Sequence, residues 1–301
     1  MILVTGASGF IGKQLISALT KVYGSQNVVA LTSKPIPDCN FLLHNDYTFE
    51  EDFFLKSAYS SINTIVHSGA YIPKSSSNAN DWIQCNTNIK STDCLLKSSL
   101  PNLKKFVLLS TVDVYGEDNI ITETSPIGPV SLYAHSKLYV EMMVSAWAKS
   151  NNIDYQILRV GHVYGPGEER YQKVIPITMK RLLKNEPLEL YGNGSELRSF
   201  IYVNDVLKAI MNAVKLVKAS DLIVNVASEQ RISILELFRK LIEISGQDVP
   251  IKITPNNSFS RNLIFDTTKL RRSLLSSETS LNDGLISEWN YMKERSNENF
   301  A

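Results

Sequence analysis

The sequence predicts an α/β fold, a doubly wound parallel sheet with a smaller C-terminal lobe, on three observations. Short β-branched runs alternate with longer amphipathic stretches over the first 160 residues. The first of these runs, MILV, leads directly into TGASGFIG at residues 5–12, with glycines at 6, 9 and 12. A concentration of Gly and Pro in GHVYGPGEERYQ, residues 161–172, then ends the alternation.

The strands are expected at MILVT, at NVVALT (27–32), INTIVH (62–67), KFVLLS (105–110) and YQILRV (155–160), with helical periodicity over 10–22, 81–99 and 132–150. Past the Gly/Pro break the pattern predicts a helix near 174–184, LELY, a loop GNGSELRS, helix, strand and helix at 204–216, 222–226 and 232–245, and a final amphipathic helix at 281–295. This organisation predicts a Rossmann-type dinucleotide-binding domain over 1–165, with 204–230 returning to it, and a mainly substrate-binding lobe over 166–301.

The glycine spacing carries the cofactor expectation. Gly6 permits a tight strand-to-helix turn, Gly9 lets backbone N–H groups approach a pyrophosphate, and Gly12 lets the helix lie against the strand. Ser8, Phe10 and Ile11 complete that loop. A diphosphate there meets the unpaired N–H groups and the dipole of a helix start. A plain turn is the alternative reading of the same glycines.

Composition narrows the partners. Lys plus Arg is 31 against Asp plus Glu 30, a net charge of +1, so neither nucleic acid nor an anionic membrane is expected as a partner. Cys39, Cys85 and Cys94 form no CxxC or Cys/His cluster, and His44, His67, His135 and His162 show no metal spacing. No metal, no disulfide framework and a reducing cytoplasm are expected. No run approaches the roughly 18 apolar residues of a membrane span, and the first strand begins at Met1.

Tyr133 and Lys137 stand four apart in YAHSK, so both project from one helix face. An ammonium near a phenol favours the phenolate, which predicts a Tyr133 acidity pulled toward neutrality and useful for proton exchange. An ordinary exposed helical pair is the alternative. STVDVYG, 110–116, ends a strand where ligands of open α/β sheets collect, and it brings the hydroxyls of Ser110 and Thr111.

Taken in order, TGASGFIG, VHSGA (66–70), NIKSTDCLLKSS (88–99), STVDVYG, the series Glu123, Pro126, Pro129, Tyr133, Lys137, HVYGPG (162–167) and LRSFIYVNDV (197–206) resemble the extended short-chain dehydrogenase/reductase family. That group contains nucleotide-sugar epimerases, dehydratases and 4-keto reductases. The resemblance implies Thr111 as the hydroxyl that holds the reacting sugar oxygen, Tyr133 as acid or base, and Lys137 on the nicotinamide ribose. It implies Ser68, Gly69, Ala70 and Val160 as cofactor contacts, and Asn88 as an anchor of local backbone; a helix N-cap for 89 onward is the other reading of Asn88. Arg198 and Arg261 fall where family arginines meet the diphosphate of a nucleoside-diphosphate sugar, although Arg261 is equally readable as a surface residue. His162 stands where relatives carry a substrate-contacting asparagine; a histidine satisfied within its loop is the alternative. The resemblance also implies a homodimer through 81–99 and 132–150.

Three departures shape the expected reaction. Thr32, Ser33 and Lys34 replace the acidic residue that many members place on the adenosine ribose, which favours NADP(H) over NAD(H), unless Lys34 merely points to solvent. Asp46 matches the position near the adenine. Val112 and Asp113 replace the Asp–Glu pair of the dehydratases, which disfavours dehydration and leaves Asp113 as a loop residue with a structural hydrogen bond. None of the cysteines matches the one that 3,5-epimerases place beside the catalytic hydroxyl. The expected activity is NADPH-dependent reduction of a 4-keto-6-deoxy sugar at C4. An NAD-dependent nucleotide-sugar 4-epimerase is the close alternative. A reductase of a non-sugar carbonyl compound and a sensor that binds the dinucleotide without turnover are more distant ones.

Overall fold

The computed structural model describes residues 1–37, 39–44, 49–55, 59–255 and 262–298. The chain runs β1 (Ile2–Thr5), α1 (Phe10–Tyr23), β2 (Val28–Thr32), β3 (Asn40–Leu43), β4 (Thr64–His67), α2 (Trp82–Lys97), β5 (Lys105–Thr111), α3 (Leu132–Ser150) and β6 (Asp154–Val160). It continues through β7 (His162–Tyr164), α4 (Val174–Leu183), β8 (Leu188–Tyr191), β9 (Leu197–Tyr202), α5 (Val203–Lys215), β10 (Ile223–Val226), β11 (Arg231–Ser233), α6 (Ile234–Ser245), β12 (Ile251–Thr254), α7 (Thr268–Ser273) and α8 (Leu281–Glu298).

Seven strands form the central parallel sheet in the order β10-β6-β5-β4-β1-β2-β3. Side chains alternate across a strand, so a sheet covered on both faces needs apolar residues at every position. Most positions of these strands carry them. Leu3, Leu31, Ile65, Phe106 and Leu108 pack on one face with Leu95 of α2 and Val140 and Val144 of α3. Their neighbours Val4, Ala30, Val66, Val107 and Leu109 pack on the other with Leu15 and Leu19 of α1 and Val206 and Ile210 of α5. Each Val, Leu, Ile or Phe among them contributes about 1.5–3 kcal/mol by leaving water.

Two smaller sheets lie outside this frame, β11-β9-β7 and the pair β12-β8. Two expectations are corrected here. Asn40–Leu43 is a strand, unread in the sequence because it is a sheet edge whose residues alternate between half-buried and exposed. Residues 197–199, expected as loop, begin β9, which pairs antiparallel with β11 and parallel with β7.

The helix that carries Tyr133 and Lys137 is fixed by a buried ion pair. Arg159 of β6 forks onto Glu141 of α3, Nε to Oε1 at 3.0 Å and Nη2 to Oε2 at 2.7 Å. The guanidinium also lies 4.7 Å from the ring centroid of Tyr115, whose hydroxyl donates to Asn225 Oδ1 at 2.7 Å. Removing one member leaves an uncompensated buried charge. Glu141→Ala is therefore expected to lose about 3–5 kcal/mol of stability, read as a lower urea midpoint at unchanged m-value.

Candidate active site

A cleft of about 1240 Å³ opens at the carboxyl ends of β1, β4, β5 and β6. This exceeds the roughly 300–1,000 Å³ of a pocket for one small molecule, and the lining divides into two halves. One holds the glycine turn with Ser33, Ser68, Gly69 and Ala70; the other holds His162, Lys173, Tyr191, Arg198 and Phe200. Thr111, Tyr133 and Lys137 line the cleft between them.

The first half is shaped for a diphosphate. Gly6 sits at φ +65°, and a Cβ there would lie 2.6 Å from Gly69 Cα. A Cβ at Gly12 would collide with the Gly6 carbonyl. Gly9 begins α1 with no side-chain cap, and no acidic residue stands in the first turn, so the helix presents bare N–H groups to the cleft. These features fit a dinucleotide. Behind them Thr5 Oγ1 lies 2.7 Å from His67 Nδ1 and accepts the Gly69 N–H at 2.9 Å, while Ser68 Oγ donates to the Thr5 carbonyl at 2.6 Å. His67 Nε2 meets Thr92 Oγ1 at 3.0 Å, and burial pushes the imidazole down to about 3, which keeps it neutral.

Asn88 lies outside the cleft lining and buried behind it. Its Oδ1 accepts the Tyr71 N–H at 2.6 Å and its Nδ2 donates to Ser136 Oγ at 3.0 Å, tying the loop after β4 to α3. The N-cap reading does not hold, since Asp81 caps α2. Thr32 and Lys34 are also absent from the lining. The Thr32 hydroxyl donates to the Lys34 carbonyl and accepts the Lys34 N–H, and the Lys34 side chain is exposed. Ser33 alone of that trio faces the cleft. Asp46 and Arg261 lie outside the described residues.

At the centre, Ser131 caps α3 by accepting the Ala134 N–H, and the Tyr133 N–H is held by the Ala79 carbonyl at 3.0 Å. The phenol meets the Thr111 hydroxyl, which favours the phenolate, but burial and then the Asp113 carboxylate outweigh it and push the phenol well above its ordinary value. The expectation of a tyrosine drawn toward neutrality is corrected accordingly. Lys137 is buried, donates to the Leu109 carbonyl at 2.7 Å, and is pushed down to about 8 by burial. Asp113 makes the local structural bond expected of it through its backbone N–H, to Thr111 Oγ1 at 3.2 Å.

Two cleft residues unread in the sequence follow the Gly/Pro break. Glu168 and Lys173 both line the cleft, 3.2 Å apart. The charged run EER directly after GPG was the available signal. Arg198 stands on β9 and donates to the Leu197 carbonyl at 3.0 Å, and His162 begins β7 beside Phe200.

Fold and cleft together define a dinucleotide-binding enzyme class, and comparison with known proteins gives the family. Residues 2–227 match the NAD dependent epimerase/dehydratase family, and the chain belongs to it. It is 28% identical over 94% of its length to a trifunctional UDP-glucose 4,6-dehydratase/3,5-epimerase/reductase of Arabidopsis thaliana, of which it spans 46%. It is 29% identical to the uncharacterized UDP-glucose epimerase YtcB of Bacillus subtilis, covering 97% of each. Among solved structures, UDP-glucose 4-epimerase of Thermotoga maritima with UDP-glucose superposes at TM-score 0.86, 26% identical over 98% of this chain and 99% of that one. UDP-glucuronic acid 4-epimerase of Bacillus cereus with UDP-glucuronic acid and NAD superposes at 0.83, 25% identical over the same shares. Among the described residues no helix is long and apolar enough to cross a membrane.

Glu168 of the cleft lining and Glu288 of α8 are both buried, and each has a carboxylate oxygen without a hydrogen-bond partner. Burial raises both acids; the Glu168 charge raises Glu288 further, and Lys173 offsets part of the rise at Glu168. The folded protein thus holds protons that the unfolded chain releases, so stability falls as pH climbs out of the ordinary carboxylate range toward these raised values. Glu288→Gln is expected to melt about 2–4 °C above wild type near pH 8 and level with it near pH 5, by calorimetry.

Proposed function

We propose that this chain is an NAD-dependent 4-epimerase of a nucleoside-diphosphate sugar, with a UDP-hexose as substrate. The observation that carries the reading is the two-part cleft whose halves meet at Thr111, Tyr133 and Lys137. The 4-epimerases that superpose over 98% of the chain, one of them with NAD, support it over the reductase. The NADP(H) preference loses its footing because Thr32 is occupied by the Lys34 backbone and Lys34 is exposed and absent from the cleft lining.

Bound NAD supplies a reversible hydride acceptor, the chemistry that the protein itself lacks. Tyr133 takes the proton of the sugar 4-hydroxyl and returns it after the ring has presented its other face. Thr111 holds that oxygen. Lys137 releases the Leu109 carbonyl to meet the nicotinamide ribose, and its ammonium then offsets the burial that disfavours the Tyr133 phenolate. Arg198 holds the substrate diphosphate.

The test is conversion of UDP-glucose to UDP-galactose by protein supplied with NAD. Tyr133→Phe is expected to lower kcat by about 10²–10⁴-fold, with UDP-glucose affinity within threefold. NADPH consumption with a 4-keto-6-deoxy nucleotide sugar, and no epimerisation, restores the reductase. The chain is also proposed to pair with a second copy. α2 and α3 pack together and leave Trp82, Ile83, Tyr139 and Met142 exposed, an apolar face suited to self-association. Sedimentation should give twice the chain mass, and Met142→Glu should shift it toward one.

A further inference from the structure

Asp113 is carried by the 3₁₀ turn Val112–Val114 from the end of β5 into the cleft. The bond from its own N–H to Thr111 Oγ1 sets the turn. Among the described residues no hydrogen bond or ion pair engages its carboxylate. Among the described residues none of the cations that line the same cleft, Lys74, Lys137, Lys173 and Arg198, pairs with it: Lys137 is on the Leu109 carbonyl, Lys173 on Glu168, and Arg198 donates to the Leu197 carbonyl. Its charge reaches the reacting end of the cleft, since it opposes ionisation of Tyr133. An uncompensated carboxylate at that position accepts strongly from a neutral hydroxyl and repels a second carboxylate.

We propose that Asp113 determines substrate class: it accepts a hydrogen bond from a hydroxyl of the bound hexose and excludes sugars that carry a carboxylate, so that the site takes neutral nucleotide hexoses in preference to nucleotide uronic acids. The inference rests on the epimerase reading above for the identity of the ligand, and on the uncompensated charge for the preference. The same carboxylate sits two residues from the hydroxyl assigned to the reacting oxygen, so the hydroxyl it meets belongs to the part of the ring nearest C4.

The experiment measures binding and turnover of UDP-glucose and UDP-glucuronic acid by the full chain with NAD, for wild type and Asp113→Asn. Wild type is expected to favour UDP-glucose by about tenfold or more in both Kd and kcat/KM. Asp113→Asn should narrow that ratio at least about threefold, mainly by gaining affinity for UDP-glucuronic acid, with an unchanged melting temperature. Asp113→Ser provides the same test if the amide variant folds poorly. Equal treatment of the two sugars by wild type, or an unchanged ratio in a folded variant, overturns the proposal. A binding preference without turnover upholds it while removing the epimerase reading. Binding of neither sugar overturns both.

Discussion

The close approach of the β1–α1 turn to the loop after β4 is the constraint from which the cleft follows. Adjacent parallel strands diverge here, β1 passing its chain toward β2 and β4 toward β5, and the gap between the two crossovers becomes the mouth. Only a glycine at position 6 allows the backbones so near, and the Thr5 hydroxyl stitches them through His67 and the Gly69 N–H. Because burial keeps His67 neutral, this stitching does not change as the solution is acidified through the range where an ordinary histidine would charge.

From that junction the order of the site is passed on by polar bridges rather than by the core alone. Asn88 joins the loop after β4 to α3, Ala79 and Asn80 hold the first backbone N–H groups of α3, and the Arg159–Glu141 fork fastens the same helix to β6. Tyr133 and Lys137 are therefore located by three elements at once. Burial and the Asp113 charge favour the protonated phenol of Tyr133, and the Lys137 ammonium donates to the Leu109 carbonyl.

Much of this was legible in the sequence because it rests on local rules. Glycines at 6, 9 and 12 need only a strand before and a helix after; Tyr133 and Lys137 need only helical spacing; the buried strands declare themselves through short, mostly apolar runs. What stayed hidden depends on distant partners or on competition between forces. Nothing in NFLL marks it as a sheet edge, and the first half of LRSFIY becomes a strand only because β7 and β11 flank it. The pattern YAHSK placed the lysine beside the tyrosine, yet spacing says nothing of the Leu109 carbonyl that draws the ammonium or of the burial that overrides it. Thr32 and Lys34 illustrate the same limit: a turn that closes on its own hydroxyl removes both from a role their chemistry would allow.

The order of the strands has a consequence for how such a protein can change. The chain leaves the central sheet after β6, builds β7 through β9, and comes back through α5 and β10, which pairs with β6, before it leaves again. The outer elements are thus two separate excursions from one frame, and they meet only in space, where Gly284 of α8 packs directly under Tyr164 of β7. No single cut and splice can transplant that outer layer onto another frame. Exchange of specificity between relatives must proceed by replacing side chains in place, which keeps the frame common while the ligands diversify.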